Sequence, residues 1–140
     1  MTNQELLRNC EQEERQLVFP RFSREDAFRL GCLLYENSKK YSDPCCFEIT
    51  VNGLTVFRYF PQSAIPDSEL WLARKRNSVN LMHMSTLYFM AWLEARQESL
   101  ADRKLDADQY GGRRRRFPDS PPGYRCHRQY LCFRHARSPA

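Results

Sequence analysis

Residues 45–60 read CCFEITVNGLTVFRYF and decide the fold class of this chain. Two runs rich in β-branched and aromatic residues flank Asn52-Gly53, a pair preferred where both central turn positions need positive φ. Before the turn, apolar side chains alternate with polar ones, so one face of the strand is expected to be apolar: Phe47, Ile49 and Val51. The stretch therefore predicts an antiparallel hairpin closed by a type I′ turn.

Two helices are predicted before the hairpin. Apolar residues recur at helical spacing in residues 3–17. In the second helix, Ser23 is a cap, Asp26 follows three residues later, and Phe22 precedes as a staple. Its expected buried stripe contains Ala27, Leu30 and Leu34, together with Phe28 and Gly31.

Residues 67–98 are predicted to be helical again. Asp67 or Ser68 is the expected cap, and a break is expected between Asn80 and Ser85, where Ser85 starts a second helix. Apolar or small residues follow one another at three- and four-residue spacing: Leu70, Ala73, Asn77, Leu81, Met84, Tyr88 and Ala91. The predicted order of elements is α-α-β-β-α-α.

Composition places the chain among globular domains. It has 140 residues, 41% hydrophobic and 28% charged, which suits about one domain. No apolar run is long enough for a membrane span, and the N-terminal residues do not resemble a secretory signal. We therefore expect a cytoplasmic protein with no membrane partner, whose six cysteines are reduced.

The net charge of +5 comes entirely from the C-terminal part of the chain. Residues 1–112 hold 14 basic and 16 acidic side chains, whereas residues 113–140 hold eight arginines and one aspartate. The arginines could neutralise nucleic-acid phosphates, but no aromatic platform or recognition helix accompanies them. A specific nucleic-acid partner is not expected.

Cys126, His127, Cys132 and His135 have the composition of a zinc site but not its spacing. Zinc ligands usually come in pairs two to four residues apart, and five residues separate the two cysteines. Adjacent Cys126 and His127 rarely both reach one tetrahedral ion. The sequence therefore predicts no metal site.

Two further features carry candidate chemistry. Residues 74–76 read Arg-Lys-Arg, which is either a solvated helix face or a site for a carboxylate or propionate. His83 lies between Met82 and Met84 and is either a packed residue or an axial ligand of haem. The sequence contains no nucleophile–base–acid set, phosphate loop or paired-carboxylate motif, so these residues do not define a reaction.

The stretches FPRFSREDAFRLG, FEITVNGLTVFRY, DSELWLARKRNSV, HMSTLYF and LDADQYGG together resemble one family. It is the UPF0303-type group of haem-degrading-domain proteins, relatives of the GlcG and PduO C-terminal domains, and the resemblance covers about residues 15–112. It implies an α/β (α+β) domain with a profilin- or PAS-like antiparallel sheet flanked by helices, and a cytoplasmic homo-oligomer. Some relatives bind or degrade haem or bind a corrinoid. By position, the resemblance implies ligand-binding roles for Lys75, Asn77 and His83.

After LDADQY the sequence departs from that pattern. Similar proteins continue with further strands and a final helix, so residues 1–112 form an incomplete domain and the C-terminal strands are expected to be missing. Residues 113–140 are predicted to be an irregular arginine-rich tail. Decoded in the neighbouring frame, the tail is compatible with the expected strands, because shifted glycine codons read as arginine. We interpret it as frameshifted.

Three functions remain open at this point. The first is a haem-degrading-domain-like protein that binds a small anionic, tetrapyrrole-type ligand through Lys75, Asn77 and His83, with haem as the candidate cofactor. The second is a non-enzymatic oligomeric scaffold or partner-binding module. The third is a nucleic-acid binder that uses the basic tail.

Overall fold

A computed structural model describes residues 2–40 and 45–111 and the backbone of a strand at 129–134. The elements are helices α1 (Asn3–Gln16) and α2 (Arg24–Ser38), strands β1 (Cys45–Val51) and β2 (Leu54–Tyr59), helices α3 (Asp67–Met82) and α4 (Thr86–Ala95), and strand β3 (Gln129–Arg134). The predicted mixed α/β fold and the order of the first six elements are confirmed.

The hairpin forms as predicted. Asn52 and Gly53 have φ values of 51° and 80°, as a type I′ turn requires. The register next to the turn pairs Val51 with Leu54, but it shifts between Ile49 and Thr50, so that Ile49 pairs with Phe57. Val56 is therefore an extra residue on β2, a β-bulge.

Local side-chain caps account for most helix starts. The Ser23 hydroxyl accepts a hydrogen bond from the Asp26 amide at 3.1 Å, and the Asp26 carboxylate accepts from the Ser23 amide at 2.9 Å. The hydrogen bond from the Ser23 amide, followed by one that the Ser23 hydroxyl donates to the same carboxylate at 2.9 Å, lowers the pKa of Asp26. Ser85 caps α4, where its hydroxyl accepts from the Tyr88 amide at 3.1 Å.

The predicted cap of α3 is wrong. Pro66 occupies the N-cap and makes no side-chain cap, Asp67 is already helical, and Ser68 is fully buried. The helix starts earlier because the preceding turn provides backbone acceptors: the Ser68 amide donates to the Ile65 carbonyl at 2.8 Å.

Helices lie on both faces of the sheet. Ala27 of α2 packs with Ile49 and Val51 on one face. The neighbouring Glu48 points to the other face, where Arg76 of α3 binds its carboxylate. Next to α3 lies α4, and α1 runs antiparallel to α4, since Asn3 donates to the Ala91 carbonyl at 2.9 Å and Glu14 accepts from the Ser85 amide at 2.8 Å.

The predicted tail needs a correction at β3. Gln129–Arg134 pairs in parallel with β1, so the sheet has the order β2-β1-β3 and is mixed rather than purely antiparallel. A strand at the free side of β1 gains backbone hydrogen bonds whatever its side chains, which composition cannot reveal. The other residues of 113–140, including the arginine run and Cys126, His127 and His135, lie outside the described residues, as does the Cys132 side chain.

The predicted apolar stripe of α3 is partly wrong. Leu70 and Leu81 are 55% and 49% exposed, whereas Leu72 and Ser78 are buried. The sheet receives the side of α3 that carries Leu72 and Arg76, because Arg76 pairs with Glu48 there. On α2, likewise, Phe28 is 56% exposed, although Ala27 and Gly31 are buried as predicted.

Within the described residues, no helix is long and apolar enough to span a membrane.

Candidate functional site

His83 ends α3 in a left-handed conformation. Its φ is 56°, and its amide donates to the Val79 carbonyl at 2.9 Å. Met82 and Met84 on either side are half-buried, whereas His83 is exposed. No hydrogen bond or ion pair with a described residue engages the His83 ring. The imidazole is therefore available to a ligand at the corner between α3 and α4.

The Asn77 side chain binds a loop and does not lie on an open face of α3. Its side-chain amide donates to the Gln109 carbonyl at 2.8 Å, and Arg74 Nε donates to the Asp108 carbonyl at 3.2 Å. At the residue after Asn77, the buried Ser78 hydroxyl accepts from the Gly111 amide at 3.0 Å. These three bonds fix residues 108–111 along α3, so Asn77 has a positioning role in this arrangement.

Lys75 lies half-buried on α3 and acts electrostatically on Cys45 at the start of β1. Burial of the thiol, with the neighbouring Cys46, raises the pKa of Cys45 to about 11, and the Lys75 charge offsets this only in part. The thiol is therefore protonated at neutral pH and is a poor nucleophile.

The three predicted ligand-binding residues do not share one face of α3. Lys75 and Asn77 are two positions apart, which places them about 200° apart around a helix of 3.6 residues per turn. His83 lies eight positions from Lys75, a rise of about 12 Å with a rotation of about 80°. Lys75 and His83 therefore lie about two turns apart on α3, and Asn77 faces the loop.

Sequence reasoning missed a cluster of charged residues around Glu48. The Glu48 side chain is fully buried, and its carboxylate accepts hydrogen bonds from Arg58 Nε at 2.9 Å and from Arg76 Nη1 at 2.6 Å. Arg58 also donates to Glu69 at 2.7 Å. The sequence signal that could have revealed this cluster was a carboxylate in a buried strand with an arginine on the next strand. A regular two-residue hairpin, however, pairs Glu48 with Phe57, and only the bulge places Arg58 opposite.

Other candidate sites are weak in the described part of the chain. No group of three or more His, Cys, Asp or Glu side chains could hold a metal ion there. A shallow depression of about 330 Å³ is lined by Glu98, Asp102, Arg103 and Lys104, away from His83 and with opposite charges mixed. Its arginine side chain is already engaged, since Arg103 donates to Glu98 at 3.2 Å. The α3–α4 corner is therefore the best candidate for ligand chemistry.

The fold is shared with a solved structure described as the crystal structure of the Ybr137w protein. The TM-score is 0.68 with 22% sequence identity, covering 75% of this chain and 62% of that chain. The chain is thus a small α/β domain of this architectural class, with helices on both faces of a central sheet.

Residues 22–115 match the family described as "Haem degrading protein HbpS-like". A UPF0303 protein of Streptomyces coelicolor is 31% identical over 114 residues, covering 81% of this chain and 72% of the relative. A UPF0303 protein of Yersinia enterocolitica is 32% identical over 103 residues, covering 74% and 61%. The chain belongs to the HbpS-like, UPF0303-type family.

The chain spans only part of its relatives. It covers 72% of the Streptomyces protein, 61% of the Yersinia enterocolitica protein and 58% of a Yersinia pestis relative.

Proposed function

We propose that this chain is a cytoplasmic, homo-oligomeric protein that binds a tetrapyrrole-type ligand such as haem at the α3–α4 corner. The observation that carries the proposal is the exposed His83 imidazole, held at the left-handed end of α3 in a member of a haem-degrading family. Imidazole is a common axial ligand of haem iron.

The surroundings of His83 suit a flat, largely apolar ligand. Leu81 and Leu87 are 49% and 42% exposed, and the half-buried Met82 and Met84 lie on either side of the histidine. Lys75, two turns back along α3, supplies positive charge for a propionate or another small anion. Haem bound here would lie on the surface, its iron on His83 and its carboxylates towards Lys75.

The proposal is limited to binding. Asn77 contributes indirectly, because its bond to Gln109 holds residues 108–111 on α3. A non-enzymatic scaffold that needs no cofactor is the second candidate, and the several exposed large apolar side chains favour it, among them Leu17 at 76% and Phe28 at 56%. Haem spectroscopy separates the two.

Haem added to the purified chain should give a Soret band. In the variant His83→Ala we expect this band to be lost, or the affinity for haem to fall by at least about tenfold, which is equivalent to about 1.4 kcal/mol. Titration followed by absorbance measures the change. The matched control removes the other two histidines, His127→Ala with His135→Ala. If the control loses the band and His83→Ala keeps it, haem binds the tail and the proposal is wrong.

Lys75→Glu should weaken binding of an anionic tetrapyrrole while leaving the fold intact. A reversed charge near the ligand carboxylates replaces attraction by repulsion, and because Lys75 is half-buried the stability of the variant is measured alongside its affinity. Haem titration measures affinity, and urea unfolding measures stability. Lys104→Glu, an exposed charge reversal elsewhere, is the control. Equal affinities of the folded Lys75→Glu and wild-type chains would remove Lys75 from the site.

A further inference from the structure

Helix α1 ends beside the α3–α4 corner. Among the described elements α1 packs on α4 alone. The Asn3 side chain donates to the Ala91 carbonyl in the second half of α4, whereas the Glu14 carboxylate lies at the opposite end. There it accepts from the amide of Ser85, which is the N-cap of α4 and lies two residues after His83. The chain that follows Glu14 therefore runs past the start of α4, where the corner lies.

Glu14 anchors the backbone of this corner. Its carboxylate accepts from the Ser85 amide at 2.8 Å, and a hydrogen bond to an ionised acceptor is stronger than a neutral one. His83 has a φ of 56°, a left-handed conformation that residues other than glycine keep only where the surrounding structure enforces it. Only Met84 separates His83 from the anchored Ser85. Glu14 therefore restricts the direction in which the His83 imidazole points.

Leu17 lies one turn beyond Glu14 on the same side of α1. Its amide donates to the Glu13 carbonyl at 2.8 Å, so Leu17 still follows the helical path, and side chains three residues apart share one side of a helix. The rise per residue places it about 4.5 Å further along the axis. At 76% it is the most exposed large apolar side chain that the structure describes, and Val18 and Phe19 are 59% and 51% exposed. The end of α1 thus presents apolar surface next to the corner.

We propose that the end of α1 completes the ligand site, where Leu17 packs against the ring of the tetrapyrrole and Glu14 is a positioning residue for His83. The inference rests on the proposed function, because it adds a second surface to the same site. Contact with Leu17 removes apolar area of both partners from water, which favours binding. This contribution needs no iron, whereas the His83 imidazole acts on the iron.

The first test compares haem with metal-free protoporphyrin IX, which has the same ring and carboxylates but no iron. Leu17→Ser should lower the affinity for both by about tenfold, because burying a leucine side chain stabilises a complex by at least that factor. His83→Ala should lower the affinity for haem alone. The matched control is Leu33→Ser, because Leu33 is 66% exposed on α2, on the other face of the sheet, and both affinities should stay unchanged. Urea unfolding should show that the two serine variants are as stable as the wild type.

The second test concerns the positioning role of Glu14. Glu14→Ala removes the acceptor, so in the ligand-free chain the Ser85 amide hydrogen should exchange with solvent at least about tenfold faster, as loss of a charge-assisted hydrogen bond predicts. The affinity for haem should fall several-fold. Glu14→Gln keeps a side-chain oxygen that can accept from the same amide and should restore most of the affinity. Glu13→Ala removes an exposed carboxylate at the neighbouring position and should change neither quantity.

The outcomes separate this inference from the proposed function. Parallel losses for both porphyrins in Leu17→Ser, with Leu33→Ser unchanged, establish the end of α1 as part of the site. If Leu17→Ser binds both porphyrins as the wild type does while His83→Ala loses haem, the inference is wrong and the proposed function stands. Wild-type haem affinity in Glu14→Ala, despite faster exchange at Ser85, removes the positioning role. A wild-type chain that binds neither porphyrin contradicts the proposed function itself, and the ligand contact of Leu17 with it.

Discussion

Replacing Arg58 with methionine should destabilise the fold by about 3–5 kcal/mol, a large part of the roughly 5–15 kcal/mol that holds a typical domain together. The reason is the fully buried carboxylate of Glu48, which accepts from Arg58 Nε at 2.9 Å. Without Arg58, Arg76 is the one arginine among the described residues that still binds this carboxylate, so the buried charge is compensated less well. Urea unfolding followed by circular dichroism measures the loss.

Two further variants test this cause. Glu69→Gln removes the partner of Arg58 that is 60% exposed, and it should cost no more than about 1 kcal/mol. Adding Glu48→Leu to Arg58→Met should recover most of the lost stability, because the buried carboxylate that has lost one of its two arginine partners is gone. If the double variant is as unstable as Arg58→Met alone, the loss comes from packing of the arginine stem and not from the charge.

The second large effect is expected at Gly31, where alanine should destabilise the protein by about 1–3 kcal/mol. Intrinsic preference predicts the opposite sign, since alanine is favoured over glycine within a helix by about 1 kcal/mol. Here, however, a Cβ atom at position 31 would overlap the ring of Phe57. That ring packs against the core of Ala27, Ile49 and Val51, so it cannot move away freely.

The control for Gly31→Ala is Cys32→Ala, the next and exposed position of the same helix, which should be nearly neutral. A smaller side chain at position 57 should relieve the overlap. Gly31→Ala should therefore lower the stability much less in a Phe57→Leu background than in the wild type. Thermal unfolding of the four chains measures the coupling. A stabilising Gly31→Ala would show that α2 and β2 are further apart than described.

The local elements could be predicted from the sequence because their signals act over a few residues. Asn52-Gly53 determines a type I′ turn, since both positions adopt positive φ. Ser23 with Asp26 defines the start of α2, and Ser85 the start of α4 after the break at His83. The position and exposure of His83 follow from that break, so the central residue of the candidate site was within reach of sequence reasoning.

Contacts between distant residues were decided only by the tertiary structure. Asn77, predicted as a ligand-binding residue, donates to the Gln109 carbonyl, 32 residues along the chain. The α3 stripe was misplaced because the side of the helix that meets the sheet depends on Arg76 finding Glu48, 28 residues away. Neither partner lies within the window over which helical periodicity gives information.

The pairing register of the strands shows most clearly the difference between local signals and contacts between distant residues. The hairpin and its turn could be predicted from residues 45–60 alone, because two turn residues with positive φ suffice for that geometry. The bulge at Val56, the buried pair of Glu48 and Arg58, and the parallel pairing of β3 with β1 depend instead on packing between distant elements. The physical reason is that a one-residue shift changes which side chains meet, and burial against α2 and α3 selects among the registers.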